Sequence, residues 1–139
     1  MKNFFMICLI LSFSAFAEDK IYGDAVVSEV TSIYDGDTFR CTIKGYPPII
    51  GERIGIRIAG VDCPEMKDKR QNIKNLARQA KQYTVKRLRE GKEIKLVNMR
   101  RGKYFRIVAD VIIDGKSLSQ ELIDNGLAKP YGGGTKEKW

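Results

Sequence analysis

Short stretches in which apolar residues alternate with polar ones, each broken by a turn signal, recur along this chain and restrict it to small strand-built folds. Ala25 to Ile33 alternates, and Phe39, Cys41 and Ile43 repeat the period of two after the turn Asp35-Gly36-Asp37, so the two segments read as one hairpin. Gly45-Tyr46-Pro47-Pro48 breaks the chain, after which Ile54, Ile56 and Ile58 alternate with Arg53, Gly55 and Arg57 as a third strand. A fourth strand begins at Ile94, Leu96 and Val97, and a fifth runs from Ile107 to Ile113 before the turn pair Asp114-Gly115. Two segments take the helical period instead. Asn72 to Glu90 carries Ile73, Leu76, Ala77, Ala80, Thr84 and Leu88 on one stripe and is stopped by Gly91. Ser117 to Asn125 carries Leu118, Leu122 and Ile123 and is stopped by Gly126. Five short strands, with a long helix after the third and a short one after the fifth, predict a partly open five-stranded β-barrel of the OB type, all-β/α+β in class. Two packed sheets would need more strands.

The first residues carry a different pattern. Lys2, the largely apolar run Phe4 to Phe13 and the sequence Ser14-Ala15-Phe16-Ala17 match the three regions of an export signal with an Ala-x-Ala cleavage site. Ten such residues reach about 15 Å as a helix, roughly half a bilayer core, which is too short for a permanent anchor. Cleavage after Ala17 removes residues 1–17, Cys8 among them, and leaves a mature chain of 122 residues beginning at Glu18. That chain is expected in the periplasm or the medium, as a monomer with no stable membrane association. One domain is expected over 18–131. The tail 132–139, rich in glycine and lysine and without apolar periodicity, is expected to be flexible.

The sequence contains no histidine, which removes imidazole general bases, Ser-His-Asp and Cys-His nucleophiles and histidine-based zinc sites. Acid–base chemistry must then fall to carboxylates, lysine, tyrosine or water. Between Lys67 and Arg106 lie 15 basic residues and three acidic ones, a net of +12 in 40 residues, while the rest of the mature chain sums to −5. A solvated lysine-rich helix face accounts for part of such an excess; a surface for a polyanion accounts for all of it. A basic protein of the membrane surface would set exposed aromatics opposite its lysines. The long helix has Tyr83 as its only aromatic.

Three segments concentrate charge at strand ends: Tyr34-Asp35-Gly36-Asp37-Thr38, Arg57-Ile58-Ala59-Gly60-Val61-Asp62-Cys63-Pro64-Glu65, and Lys103-Tyr104-Phe105-Arg106. Singly each is an ordinary turn, helix start or surface group. Together, in this order and spacing, they resemble the staphylococcal nuclease (thermonuclease) family over about Val26 to Tyr131. The resemblance implies an OB-fold, calcium-dependent, sugar-nonspecific nuclease that hydrolyses phosphodiester bonds of DNA and RNA to 3′-phosphate ends. It places Asp37, Asp62 and the backbone carbonyl of Cys63 as calcium ligands. Glu65 falls on the residue held to activate or position the attacking water, and Arg57 and Arg106 on the two phosphate-binding arginines. Lys103 and Tyr104 match positions beside the nucleotide, and Tyr131 an aromatic near the base, with base stacking and an ordinary half-buried tyrosine both open for it. Asp35 and Thr38 would act only through their neighbours. A non-catalytic OB module that merely binds nucleic acid is the alternative, and the retained acids and arginines count against it.

The residue types suit that chemistry. Calcium takes oxygen ligands, so carboxylates, a carbonyl and water form its shell without histidine. A phosphodiester gains charge on its non-bridging oxygens as it becomes five-coordinate, and arginine forks hydrogen-bond that charge where lysine cannot match the geometry. Three acids converging without metal are expected to repel one another, so Asp37→Asn is expected to leave metal-free stability equal or higher. Two departures from the family pattern bear on Arg106: Gly102 replaces an acid, and Phe105 replaces a glycine. If that glycine uses positive φ, Phe105 strains the turn or forces another. Cys41 lies about 13 Å along its strand from Asp37. Cys63 is tied to the barrel mouth by its neighbour Asp62, so the two cysteines are expected to stay unpaired.

Overall fold

The computed structural model describes residues 20–139; the expected signal segment lies outside the described residues. Strand β1 (Ala25–Ile33) pairs antiparallel with β2 (Thr38–Ile43), and β2 in turn with β3 (Ile54–Ile58). On its other edge β1 meets β5 (Ile94–Arg101), which pairs antiparallel with β6 (Arg106–Ile113). The sheet then closes on itself. Gly55, Ile56, Arg57 and Ile58 of β3 run parallel to Arg106, Ile107, Val108 and Ala109 of β6, which makes a closed five-stranded barrel where alternation alone predicted a partly open one.

The interior is supplied by the alternating residues read from the sequence. Phe39, Cys41 and Ile43 of β2, Ile54, Ile56 and Ile58 of β3, and Ala109, Val111 and Ile113 of β6 are all buried. Each such isoleucine contributes about 1.5–3 kcal/mol by leaving water. Helix α2 (Gln71–Glu90) lays Ile73, Ala77, Ala80, Thr84 and Leu88 on the barrel, and only Leu76 of the expected stripe stays half-buried. Among the described residues no helix is long and apolar enough to cross a membrane.

Four elements go beyond the expected set. A single helical turn, α1 (Pro48–Gly51), occupies the segment read as a break, with Pro48 as its first residue. A two-residue strand β4 (Val61–Asp62) pairs with β8 (Lys129–Pro130), which fastens the end of the chain beside the barrel mouth. A two-residue β7 (Lys116–Ser117) leads into α3 (Leu118–Asp124), whose N-terminus is capped by Ser117. Helices α2 and α3 are locked by Glu121, which accepts from Arg87 Nε at 2.7 Å and from the Tyr83 hydroxyl at 2.9 Å.

Candidate active site

The turn between β1 and β2 is shaped before it carries any chemistry. The Asp37 amide donates to the Asp35 carboxylate at 3.1 Å, which curls the backbone. Gly36 is pressed against α2, where a Cβ would come within 2.8 Å of Cys63 Sγ and 2.9 Å of Ala80 Cβ. Its carbonyl accepts from the Thr84 hydroxyl at 2.7 Å. No larger residue fits between the hairpin and the helix, so the glycine between two aspartates is a packing requirement. The long helix thus fixes where Asp37 stands.

The strand β3 brings Arg57 to the same place. The Ile58 amide donates to the Asp37 carbonyl at 2.8 Å. The chain then turns at Gly60 (φ +80°) into β4, and Asp62 arrives on the far side of Arg57. The guanidinium lies between the two acids, 2.8 Å from Asp37 and 3.5 Å from Asp62, with side chains only 14%, 7% and 9% exposed. It also donates to the Val61 carbonyl at 3.0 Å. Asp37 accepts in addition from the Cys63 amide at 2.8 Å and the Thr38 hydroxyl at 3.1 Å. Burial pushes Asp35 up to about 7, and the negative charge of Asp37 adds to the rise.

The donor set is therefore two carboxylates held on either side of one guanidinium, with the Val61 carbonyl beside them. It is all oxygen, which fits a hard dication such as calcium. Among the described residues no three acidic, cysteine or histidine side chains are placed so as to hold a metal ion together, so an ion at the two carboxylates would need backbone oxygens and water to complete its shell.

Glu65 lies at the edge of this cluster. It shares a shallow depression of about 390 Å³ with Asp62 and Cys63, and it is exposed, with Lys67 3.4 Å away. Arg106, Lys103 and Tyr104 are not joined to the acids. They sit on the turn between β5 and β6, where Arg106 reaches back to the Lys103 carbonyl at 3.3 Å and lies 5.6 Å over the Tyr104 ring. Tyr131 lies with Arg57 in a neighbouring depression of about 400 Å³. It is half-buried, and its hydroxyl donates to the Gly134 carbonyl at 3.0 Å.

The turn 103–106 resolves the two departures noted in the sequence. Tyr104 and Phe105 both have φ +57°, and the Arg106 amide donates to the Lys103 carbonyl at 3.2 Å. This is the tight hairpin geometry that glycine or asparagine normally supplies. The turn is kept, and Phe105 carries the strain. Gly102 has its own reason: a Cβ there would come within 2.9 Å of Val108, so an acidic residue would not fit without a shift.

The tail 132–139 has no helix or strand, yet its end lies over the acids, which sequence reading did not anticipate. Lys136 stands 3.1 Å from Asp62, and the Trp139 indole N–H donates to Asp62 at 3.3 Å. Arg70 donates to the Trp139 backbone oxygen at 2.6 Å, and Lys129 lies 4.7 Å from the Trp139 ring. The sole signal was a single tryptophan in an otherwise polar segment. Cys41 and Cys63 are both buried and free, and burial pushes the Cys41 thiol up to about 12 and that of Cys63 higher.

Compared with known families, residues 55–138 match the model described as staphylococcal nuclease homologue. The match includes Arg57, Asp62, Glu65 and Arg106; the Asp37 turn precedes it.

Proposed function

This chain belongs to the staphylococcal nuclease homologue family, and from that premise we propose that it is an exported, calcium-dependent, sugar-nonspecific nuclease hydrolysing DNA and RNA to 3′-phosphate ends. The observation that carries this reading is one nearly buried guanidinium shared by two acids, with an exposed third acid beside them. Asp37, Asp62 and the Cys63 carbonyl would hold a calcium ion, which when bound would offset phosphate charge and polarise the scissile group. Arg57 and Arg106 present their forks to the non-bridging oxygens, where charge grows as phosphorus becomes five-coordinate. Glu65, exposed at the edge of the cluster, takes the proton of the water that attacks phosphorus, and the 5′-oxygen leaves and is protonated by solvent. Tyr131, next to Arg57, offers its ring to a base, and Lys103 and Tyr104 flank the strand near Arg106.

Incubation of the mature chain with plasmid DNA and with an RNA transcript tests the reading. Both are cleaved with calcium, poorly with magnesium, which demands strict octahedral geometry, and not at all with chelator. Undiminished cleavage in chelator would overturn the metal assignment. Binding without any cleavage would favour the non-catalytic alternative.

A further inference from the structure

A second feature lies on the barrel flank, away from the acids. The Tyr22 amide donates to the Met99 carbonyl at 2.8 Å and the Met99 amide to the Gly23 carbonyl at 2.9 Å, so the segment before β1 is stitched to β5. This holds the Tyr22 ring on the surface, with the Lys20 ammonium 5.1 Å and the Arg101 guanidinium 5.3 Å from its centre. Beside it runs an open groove of about 580 Å³, walled by Tyr46, Ile50 and Phe105 as well as Tyr22, and by Arg100, Arg101 and Arg106. Among the described residues no acidic side chain lines it. Tyr22 is 47% exposed and Phe105 73%, a patch of large rings in water that a monomer has no packing reason to keep.

Arg100 adds an independent observation. Its Nε is buried and has no hydrogen-bond partner among the described residues. A buried donor without an acceptor is costly, and the residue that carries it lines the groove, where a shift of its side chain toward a bound anion would satisfy it. The groove also communicates with the reaction site. Arg57 pairs with Val108 across β3 and β6, and Val108 pairs with Arg100 across β6 and β5. Two strand spacings put the Arg57 and Arg100 backbones about 10 Å apart in one row. Arg57, Tyr131, Arg100 and Arg101 line one depression, and the last two line the groove as well.

We propose that this groove is a binding track for single-stranded nucleic acid, in which bases rest on Tyr22, Tyr46 and Phe105 while phosphates meet Arg100 and Arg101. Rings interleaved with arginines are the combination that holds a single strand without reading its sequence. The ligand class rests on the nuclease reading above; the track itself rests on the groove. It makes affinity depend on strand length, since only a strand longer than the reaction site reaches it.

The test uses the mature chain carrying Glu65→Gln, with calcium, and fluorescent oligothymidylates of two and twelve nucleotides read by anisotropy. The dodecamer binds at least tenfold more tightly than the dinucleotide. Tyr22→Leu weakens the dodecamer about tenfold and leaves the dinucleotide unchanged, while Tyr22→Phe, which keeps the ring, restores binding. Replacing Arg100 and Arg101 by alanine lowers the slope of log affinity against log salt by about 1.4 for the dodecamer and by less for the dinucleotide, which meets them only where they border Arg57 and Tyr131. Equal effects on both lengths, or none, would overturn the track. So would a dimer in light scattering that Tyr22→Leu converts to monomer, which would make the groove a self-interface. Cleavage by the otherwise wild-type chain separates the two readings: normal cleavage with no length dependence removes the track alone, and absence of both binding and cleavage removes the nuclease reading with it.

Discussion

Arg57 and Arg106 stand on neighbouring strands of the barrel, yet the fold treats them differently. Arg57 is held by Asp37, Asp62 and the Val61 carbonyl and is nearly buried. Among the described residues the Arg106 guanidinium hydrogen-bonds only within its own turn, and the Tyr104 ring beneath it is 87% exposed. One half of the proposed phosphate cradle is therefore assembled by the core of the protein. The other half hangs on a strained two-residue turn. Substitution in the first half should cost folding and chemistry together, and substitution in the second should cost chemistry alone.

The largest expected effect contrasts the two arginines directly. Arg57→Ala leaves two buried carboxylates without their shared partner and should lower stability by about 3 kcal/mol in denaturant unfolding. Arg106→Ala should change stability by about 0.5 kcal/mol or less. Cleavage should fall about a hundred- to thousandfold in both. Equal stability losses would erase the distinction between the halves.

Asp37→Asn comes next. It removes the 2.8 Å ion pair with Arg57 while keeping an acceptor for the Cys63 amide. Metal-free stability should drop by about 1–3 kcal/mol, and an unchanged or higher denaturant midpoint would restore the repulsion argument.

Glu121→Gln provides a control outside both halves. Burial alone would raise the Glu121 carboxyl, but hydrogen bonds from Arg87 and Tyr83 outweigh it and hold the carboxyl below its ordinary value. A group lowered on folding contributes stability above its unfolded value and loses it as pH falls through the folded one. The variant should lose about 1–2 kcal/mol near neutral pH, and the difference from wild type should vanish in acid, with cleavage unaffected.

The smallest effect belongs to the turn. Phe105→Gly relieves a left-handed residue and should raise stability by about 1 kcal/mol, read as a melting midpoint. A fall would show that the exposed ring packs more than its surroundings suggest.

The barrel was legible in the sequence because apolar residues alternate in β2 and β3, and recur in β1, β5 and β6 despite their irregularities, and because its turns carry glycine and aspartate. Closure was not, since the parallel pairing of β3 with β6 joins segments that are distant in the chain and no local pattern marks it. The acids and arginines were legible as motifs. Their electrostatics were not: reading Asp37, Asp62 and Glu65 as three converging acids gave repulsion, whereas the fold inserts Arg57 between two of them and leaves the third beside Lys67. That inverts the expected sign for Asp37→Asn. Lys136 and Trp139 at Asp62 were beyond reach for another reason, because a tail without periodicity says nothing about where it comes to rest.

The central claim is that the guanidinium between Asp37 and Asp62 belongs to the reaction centre and is more than a structural staple. Arg57→Lys tests it most directly, since lysine keeps the charge the acids need but loses the fork a phosphate needs. Single-turnover cleavage of a labelled strand in calcium, on a variant shown by melting to be folded, should slow by about a hundredfold or more. A folded Arg57→Lys protein that cleaves within about tenfold of wild type would contradict the account.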